Sequence, residues 1–330
     1  MGYNSITFNA ADLVVSNRGV DLSINAVPLS RTSKVRWNTS FTMTFNRNML
    51  TKLPNGNKTF VPSSGDPYGT SRIFSVGQPI YEMFQMRYKG VYNKASDIPF
   101  DSYTGKTVTY FKGNHTVVPG DPIWEDVHHI GDVWVDESDG GYGSRMPTGD
   151  PNPRFVGGFT NDFAYKNFSL TIQCVYTYKR TIVDNFRSAQ FARIAGSTLG
   201  LAQYRLPDLS GVNYWTPTKA QDPNYKADFP SINPFVSTYY QFSPFSTMFN
   251  TDGSYFKIST ISLGYRLPPT NRIVKKLFMR DIRFYSLVNN VYTFTKSSVP
   301  NPELVNQLGN YVGGAYPMPV KITFGIDATF

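Results

Sequence analysis

The end of the chain alternates strictly in character. Val320, Ile322, Phe324, Ile326, Ala328 and Phe330 take one parity, and Lys321, Thr323, Gly325, Asp327 and Thr329 take the other. A period of two puts apolar side chains on one face of a strand and polar ones on the opposite face. The length also suits a tilted strand that crosses a bilayer, about 9–11 residues. The same pattern recurs upstream. Val20, Leu22, Ile24 and Ala26 alternate with Asp21, Ser23 and Asn25. Val35, Trp37, Phe41, Met43 and Phe45 share a parity, against Lys34, Arg36, Asn38, Ser40, Thr42 and Thr44. Phe155, Phe159, Phe163 and Tyr165 form an aromatic row. Phe168, Leu170, Ile172, Cys174, Tyr176 and Tyr178 form another, followed by Ile261, Leu263 and Tyr265 and by Ile282, Phe284 and Val288. One helix is predicted, between Val183 and Leu201.

The connections between these rows sort by length. Short ones fall at Leu29-Ser30-Arg31, Gly77-Gln78-Pro79 and Lys166-Asn167, with a moderate one from Pro268 to Arg280. Long ones run from Leu50 to Thr70, Asn93 to Asn152, Thr181 to Asp252 and Lys296 to Met318, and the two kinds alternate along the chain. Bacterial membrane barrels have short periplasmic turns and long extracellular loops, whereas a sandwich has no reason to sort its loops. The order predicts about nine strands of a membrane barrel, the first descending from outside, with the residues before Asn17 in an extracellular loop. An odd number does not close in lipid, so an open arc of a larger barrel is expected.

Composition agrees. Aromatics make up 15% of the 330 residues, with 22 Tyr and 25 Phe, and charged residues only 17%. Mean hydropathy is −0.31. No run approaches the roughly 18 apolar residues that a membrane helix needs. The net charge of +9 is scattered, Lys275-Lys276 with Arg272 and Arg280 being the nearest thing to a cluster. Dispersed charge without a binding motif argues against a nucleic-acid partner. A single cysteine, Cys174, excludes an intramolecular disulfide framework. Met1-Gly2-Tyr3-Asn4 carries no export signal, so an upstream part of a longer barrel protein is expected.

Several segments are similar to one family. Asn17-Arg18-Gly19-Val20-Asp21-Leu22-Ser23, Trp37-Asn38-Thr39-Ser40-Phe41 and Phe45-Asn46-Arg47-Asn48 resemble SusC/RagA-like TonB-dependent transporters. So do Gly149-Asp150-Pro151-Asn152-Pro153-Arg154-Phe155, Asp252-Gly253-Ser254-Tyr255-Phe256-Lys257-Ile258, Leu263-Gly264-Tyr265-Arg266-Leu267-Pro268 and Asn289-Asn290-Val291-Tyr292-Thr293-Phe294-Thr295, and the ending from Tyr316-Pro317-Met318-Pro319 to Phe330. The resemblance implies an all-β fold: residues 1–330 as a C-terminal segment of a plugged barrel of about 22 strands, with the plug and the first half of the barrel outside this chain. It implies import of glycans or peptides across a Gram-negative, Bacteroidetes-type outer membrane with energy from TonB. It also implies a SusD-like surface lipoprotein lid, and Phe330 as the signal for barrel assembly. A secreted or surface β-sandwich that binds glycans is the rival reading.

The candidate residues are few. His128-His129, with Glu125, Asp126 and Asp132, is the one metal-capable group, but adjacent histidines on an extended chain point apart. Asp136, Ser138, Asp139 and Gly140 look like an eroded calcium loop without the spacing of an EF-hand. Neither is taken as a metal site, and no cofactor is expected. No G-x-S-x-G, H-E-x-x-H or Walker pattern occurs and all three histidines (His115, His128, His129) lie in one long loop, so no enzyme is expected. Trp124, Trp134, Tyr214 and Trp215 lie in long loops, where their faces suit a ligand or the lid. Packing of the loops on each other is the competing role for each. Trp37 and Tyr178 suit an interfacial aromatic girdle, and Lys34 and Arg36 a wetted lumen.

Overall fold

The computed structural model describes residues 12–60, 73–101, 105–134, 143–196, 208–232, 242 and 245–330. Seven long strands form one antiparallel sheet: β1 (Val14–Ala26), β2 (Val35–Lys52), β3 (Phe155–Tyr165), β4 (Phe168–Tyr178), β5 (Tyr255–Leu267), β6 (Asp281–Thr295) and β7 (Lys321–Thr329). Each pairs with its sequence neighbour, so the sheet is an unbroken meander.

The register turns the alternation in the sequence into two chemically distinct faces. One row crosses from Ile24 through Phe41, Phe159, Cys174 and Ile258 to Tyr292. The neighbouring row on the opposite face crosses from Asn25 through Ser40, Thr160, Gln173, Thr260 and Asn289 to Lys321. A bulge at Ser259 preserves the sorting. The register of β5 shifts between Ile258 and Thr260 against both neighbours, so Phe256 and Ile258 share a face with Ile261, Leu263 and Tyr265. Gly157 lies under Tyr176, whose hydroxyl donates to the carbonyl oxygen of Thr42 at 3.2 Å. A side chain at Gly157 would collide with that ring.

The apolar face is uncovered. Val20 is 61% exposed and Phe324 79% exposed. Apart from Leu50, Cys174 and Ile282 in the long strands and Val274 in the 268–280 turn, the buried apolar side chains lie in the long connections. Among the described residues both sheet edges are open: β1 pairs only with β2 and β7 only with β6.

Connections segregate by length, as the sequence predicts. Residues 27–34, 166–167 and 268–280 join strands at one end, while 53–154, 179–254 and 296–320 join them at the other. Lys166 takes a left-handed φ of 50° in its two-residue turn. A short helix, Arg272–Lys276, sits in the 268–280 turn, with the Asn271 side chain capping Ile273 N at 2.9 Å.

Two expectations are corrected. Among the described residues the sheet has seven strands, not about nine, because β2 pairs directly with β3 and leaves no place for residues 73–92 between them. The Gly77-Gln78-Pro79 turn therefore lies at the long-loop end, where Gly77 N donates to the Leu50 carbonyl at 2.8 Å and Leu50 N to Gln78 at 2.9 Å. The helix predicted from Val183 forms as α1 (Asn185–Gly196), after a short strand from Thr181 to Asp184.

Candidate functional site

Two features stand out: the polar face of the sheet, and the body that the three long connections build above it. Apolar clusters weld that body together. Met83 from the first connection packs with Val183, Phe191, Phe242 and Phe249 from the second. Ile182 from the second packs with Val299 and Tyr311 from the third. A further cluster, with Met86, Tyr92, Tyr110, Val117, Trp124 and Val133, lies within the first. Polar contacts reinforce these joins. Gln85 and Asn250 exchange two side-chain hydrogen bonds, at 3.0 and 2.8 Å, and Met86 N donates to Phe245 O at 2.7 Å.

The loop aromatics have separate surroundings. Trp124 is 4% exposed; its ring lies 4.8 Å from Tyr110, and its Nε1 donates to Ser246 Oγ at 3.3 Å. It packs the loops and presents no open face. Trp215 is half-buried and donates through Nε1 to Asn93 O at 3.2 Å, which ties the second connection to the first. Tyr214, its neighbour, lies 4.8 Å from Lys219 Nζ, and its carbonyl accepts from the Tyr225 hydroxyl at 2.7 Å. Trp134 stacks on His128 at 4.9 Å. Phe330 is 76% exposed at the end of the chain.

The histidine cluster reads as a structured turn. Asp126 accepts from His128 N and His129 N through Oδ1 and from Gly131 N through Oδ2, and His128 Nε2 lies 3.1 Å from Gly143 O. Among the described residues no group of three or more His, Cys, Asp or Glu is arranged to hold a metal. Residues 136–140 lie outside the described residues. His115 pairs with the buried Asp121 at 2.7 Å, and Asp121 also accepts from Val118 N at 2.9 Å.

Three features escaped the sequence reading. Lys257 points from the polar face and bonds Glu303 of the third connection at 2.6 Å, with both side chains largely buried. Buried Glu82 accepts from Gly149 N at 2.9 Å, and burial, with Asp150 nearby, raises its carboxyl above the ordinary range. A cleft of about 950 Å³ opens where the loops meet the tops of β2, β3 and β4, lined among others by Arg47, Arg154, Lys179 and Arg180. No local motif signals these groups, because their partners lie tens of residues away in the chain.

No protein-family model matches the chain. Over its whole length, it is 27% identical to TonB-dependent receptor P3 of Formosa agariphila, in an alignment of 340 residues. The chain is a homologue of TonB-dependent receptors. It is also 24% identical to receptor P39 of the same organism. It spans 30% and 31% of the length of these two relatives, and the matched region is their C-terminal barrel part. Among solved structures, 97% of the chain superposes on the RagAB peptide transporter with a TM-score of 0.65 at 21% identity, covering 30% of that chain. The open-open state of the RagAB peptide importer gives 0.64 at 19% identity, covering 96% of this chain and 29% of that one. The fold is therefore that of a β-barrel segment, and the homologues are receptors and transporters rather than enzymes.

Proposed function

We propose that this chain is barrel wall, lumen lining and outer loops of a TonB-dependent importer of peptides or glycans in a Gram-negative outer membrane. One observation carries the reading. A seven-stranded meander has a continuous apolar face, a continuous polar face and all its long connections at one end. An uncovered apolar face suits lipid, and the polar face suits a water-filled lumen. A soluble sandwich would cover the apolar face with a second sheet. Among the described residues the other sheets are pieces of two or three short strands.

The remaining parts follow from this reading. Strands and a plug outside this chain complete the barrel, because backbone groups at the edges of β1 and β7 need partners in lipid. The long connections lie outside the cell and meet a SusD-like lipoprotein lid, and TonB energises the assembly through a segment outside this chain. Trp134, Tyr214 and Trp215, less buried than Trp124, are the aromatics that meet ligand or lid, while Phe330, directly after β7, is the signal for barrel assembly.

Fractionation of the native source tests this. The chain is expected in carbonate-resistant outer membranes, migrating with a larger partner. A folded soluble monomer would overturn the reading and favour a secreted glycan-binding sandwich.

A further inference from the structure

The loop body lies over the polar face of the sheet and leaves the apolar face bare. Lys257, on the polar face near the loop end of β5, is 6% exposed, whereas its neighbour Phe256 on the apolar face is 40% exposed. Phe294 and Tyr292, beside Phe256 and Ile258 on the apolar face, are more exposed still, while Thr177 on the polar face is buried. Side chains of the polar face hold two of the three long connections. Asn48 of β2 accepts from Ile80 N at 2.8 Å through Oδ1. Lys257 Nζ donates to Glu303 Oε2 at 2.6 Å and lies 3.7 Å from Met318 Sδ. The connection 296–320 therefore touches the polar wall through Glu303 and again through Met318.

This connection is fixed in place. Val299 and Tyr311 bury against Ile182, and Asn310 and Tyr311 pair in parallel with Val183 and Asp184. Ser298 N donates to Thr251 Oγ1 at 2.9 Å. Asn306 Oδ1 accepts from Leu308 N at 3.0 Å and from Asn310 N at 2.9 Å, which closes the turn on itself. The Lys257–Glu303 pair, largely buried, holds the strap to the wall, because separating the two leaves each charge desolvated and unpaired.

We propose that residues 296–320 form a fixed constriction of the lumen mouth, with Lys257 and Glu303 as the pair that sets the largest solute able to pass along β5 and β6. The proposal rests on the membrane-barrel reading above, in which the polar face lines the lumen. The two charges neutralise each other and are withdrawn from water, so the strap selects by size and not by charge.

The test uses the whole transporter in its own outer membrane. Thr260→Cys puts a thiol on the polar face, deeper along β5 than Lys257. Cells are treated from outside with N-ethylmaleimide or with a maleimide carrying a long polyethylene glycol, and labelling is counted above that of the same protein without the new thiol. The small reagent should label Thr260→Cys readily and the polymer only slowly. Adding Lys257→Met should speed the polymer on the order of a hundredfold, the usual worth of a broken buried ion pair, with a much smaller change for the small reagent. Adding Glu303→Met as well should restore the slow rate. A polymer as fast as the small reagent in the parent, a size ratio unmoved by Lys257→Met, or no recovery in the double variant overturns the constriction. Failure of both reagents in every variant overturns it too, since another part of the protein then closes the mouth. A chain that leaves the membrane on carbonate washing and shows no difference in mobility between heated and unheated gels overturns the barrel reading, whereas a membrane-held barrel with any of the earlier outcomes overturns the constriction alone.

Discussion

Ile172 and Gln173 are neighbours near the middle of β4, and an arginine at each tests the two-faced sheet directly. Ile172 lies on the apolar face, between Asn161 and Ile261; Gln173 lies on the polar face, between Thr160 and Thr260. If the apolar face meets lipid, Ile172→Arg places a charge near the bilayer midplane. That costs about 2–4 kcal/mol, or roughly 30- to 700-fold in the folded-to-unfolded ratio. Gln173→Arg exchanges one wetted polar group for another and should cost less than about 1 kcal/mol. The two substitutions add the same side chain one residue apart, so differences in strand propensity largely cancel. Reversible urea unfolding from lipid vesicles, followed by the mobility difference between folded and unfolded protein on unheated gels, reads the free energy. Equal destabilisation, or a larger loss at Gln173, would refute the assignment of faces and the membrane reading built on it.

Three further outcomes follow from the loop body. Trp124→Ala should cost about 3–5 kcal/mol of loop stability, the usual price of a large buried aromatic, seen as faster proteolysis between 53 and 154 with the barrel intact. Lys257→Met leaves Glu303 largely buried without its partner, at a cost of about 3–5 kcal/mol. Hydrogen exchange over 299–311 should accelerate, and adding Glu303→Met should restore most of the protection. Glu82 has a folded pKa above the ordinary 4.5 because burial disfavours its charge. Its contribution is therefore complete below 4.5 and is lost as pH rises through the folded value. Glu82→Gln, which keeps an acceptor for Gly149 N, should flatten that dependence and stabilise the loops at neutral pH, as measured by proteolysis across a pH series.

The two faces, the sorted connections and the all-β class were legible in the chain itself. Alternation is local: from Val320 to Phe330 each side chain's face follows from its parity alone. Most connection lengths were equally plain, because the 166–167 turn and the long 179–254 connection are both read directly between periodic rows; only the 53–154 connection was broken in the reading, by a turn expected at Gly77-Gln78-Pro79. Membership of the long sheet was not legible. Phe84, Met86 and Tyr88 alternate with Gln85, Arg87 and Lys89 as in a barrel strand, yet Met83–Gln85 pairs with Met146–Gly149 in a separate two-stranded sheet. Periodicity specifies a face, not the strand that will lie beside it. The packing role of Trp124 and the cations around the cleft were likewise decided only by the tertiary fold. Ser246 lies more than a hundred residues from Trp124, and Arg47 lies as far from Arg154 and Lys179, so only chain closure brings them together.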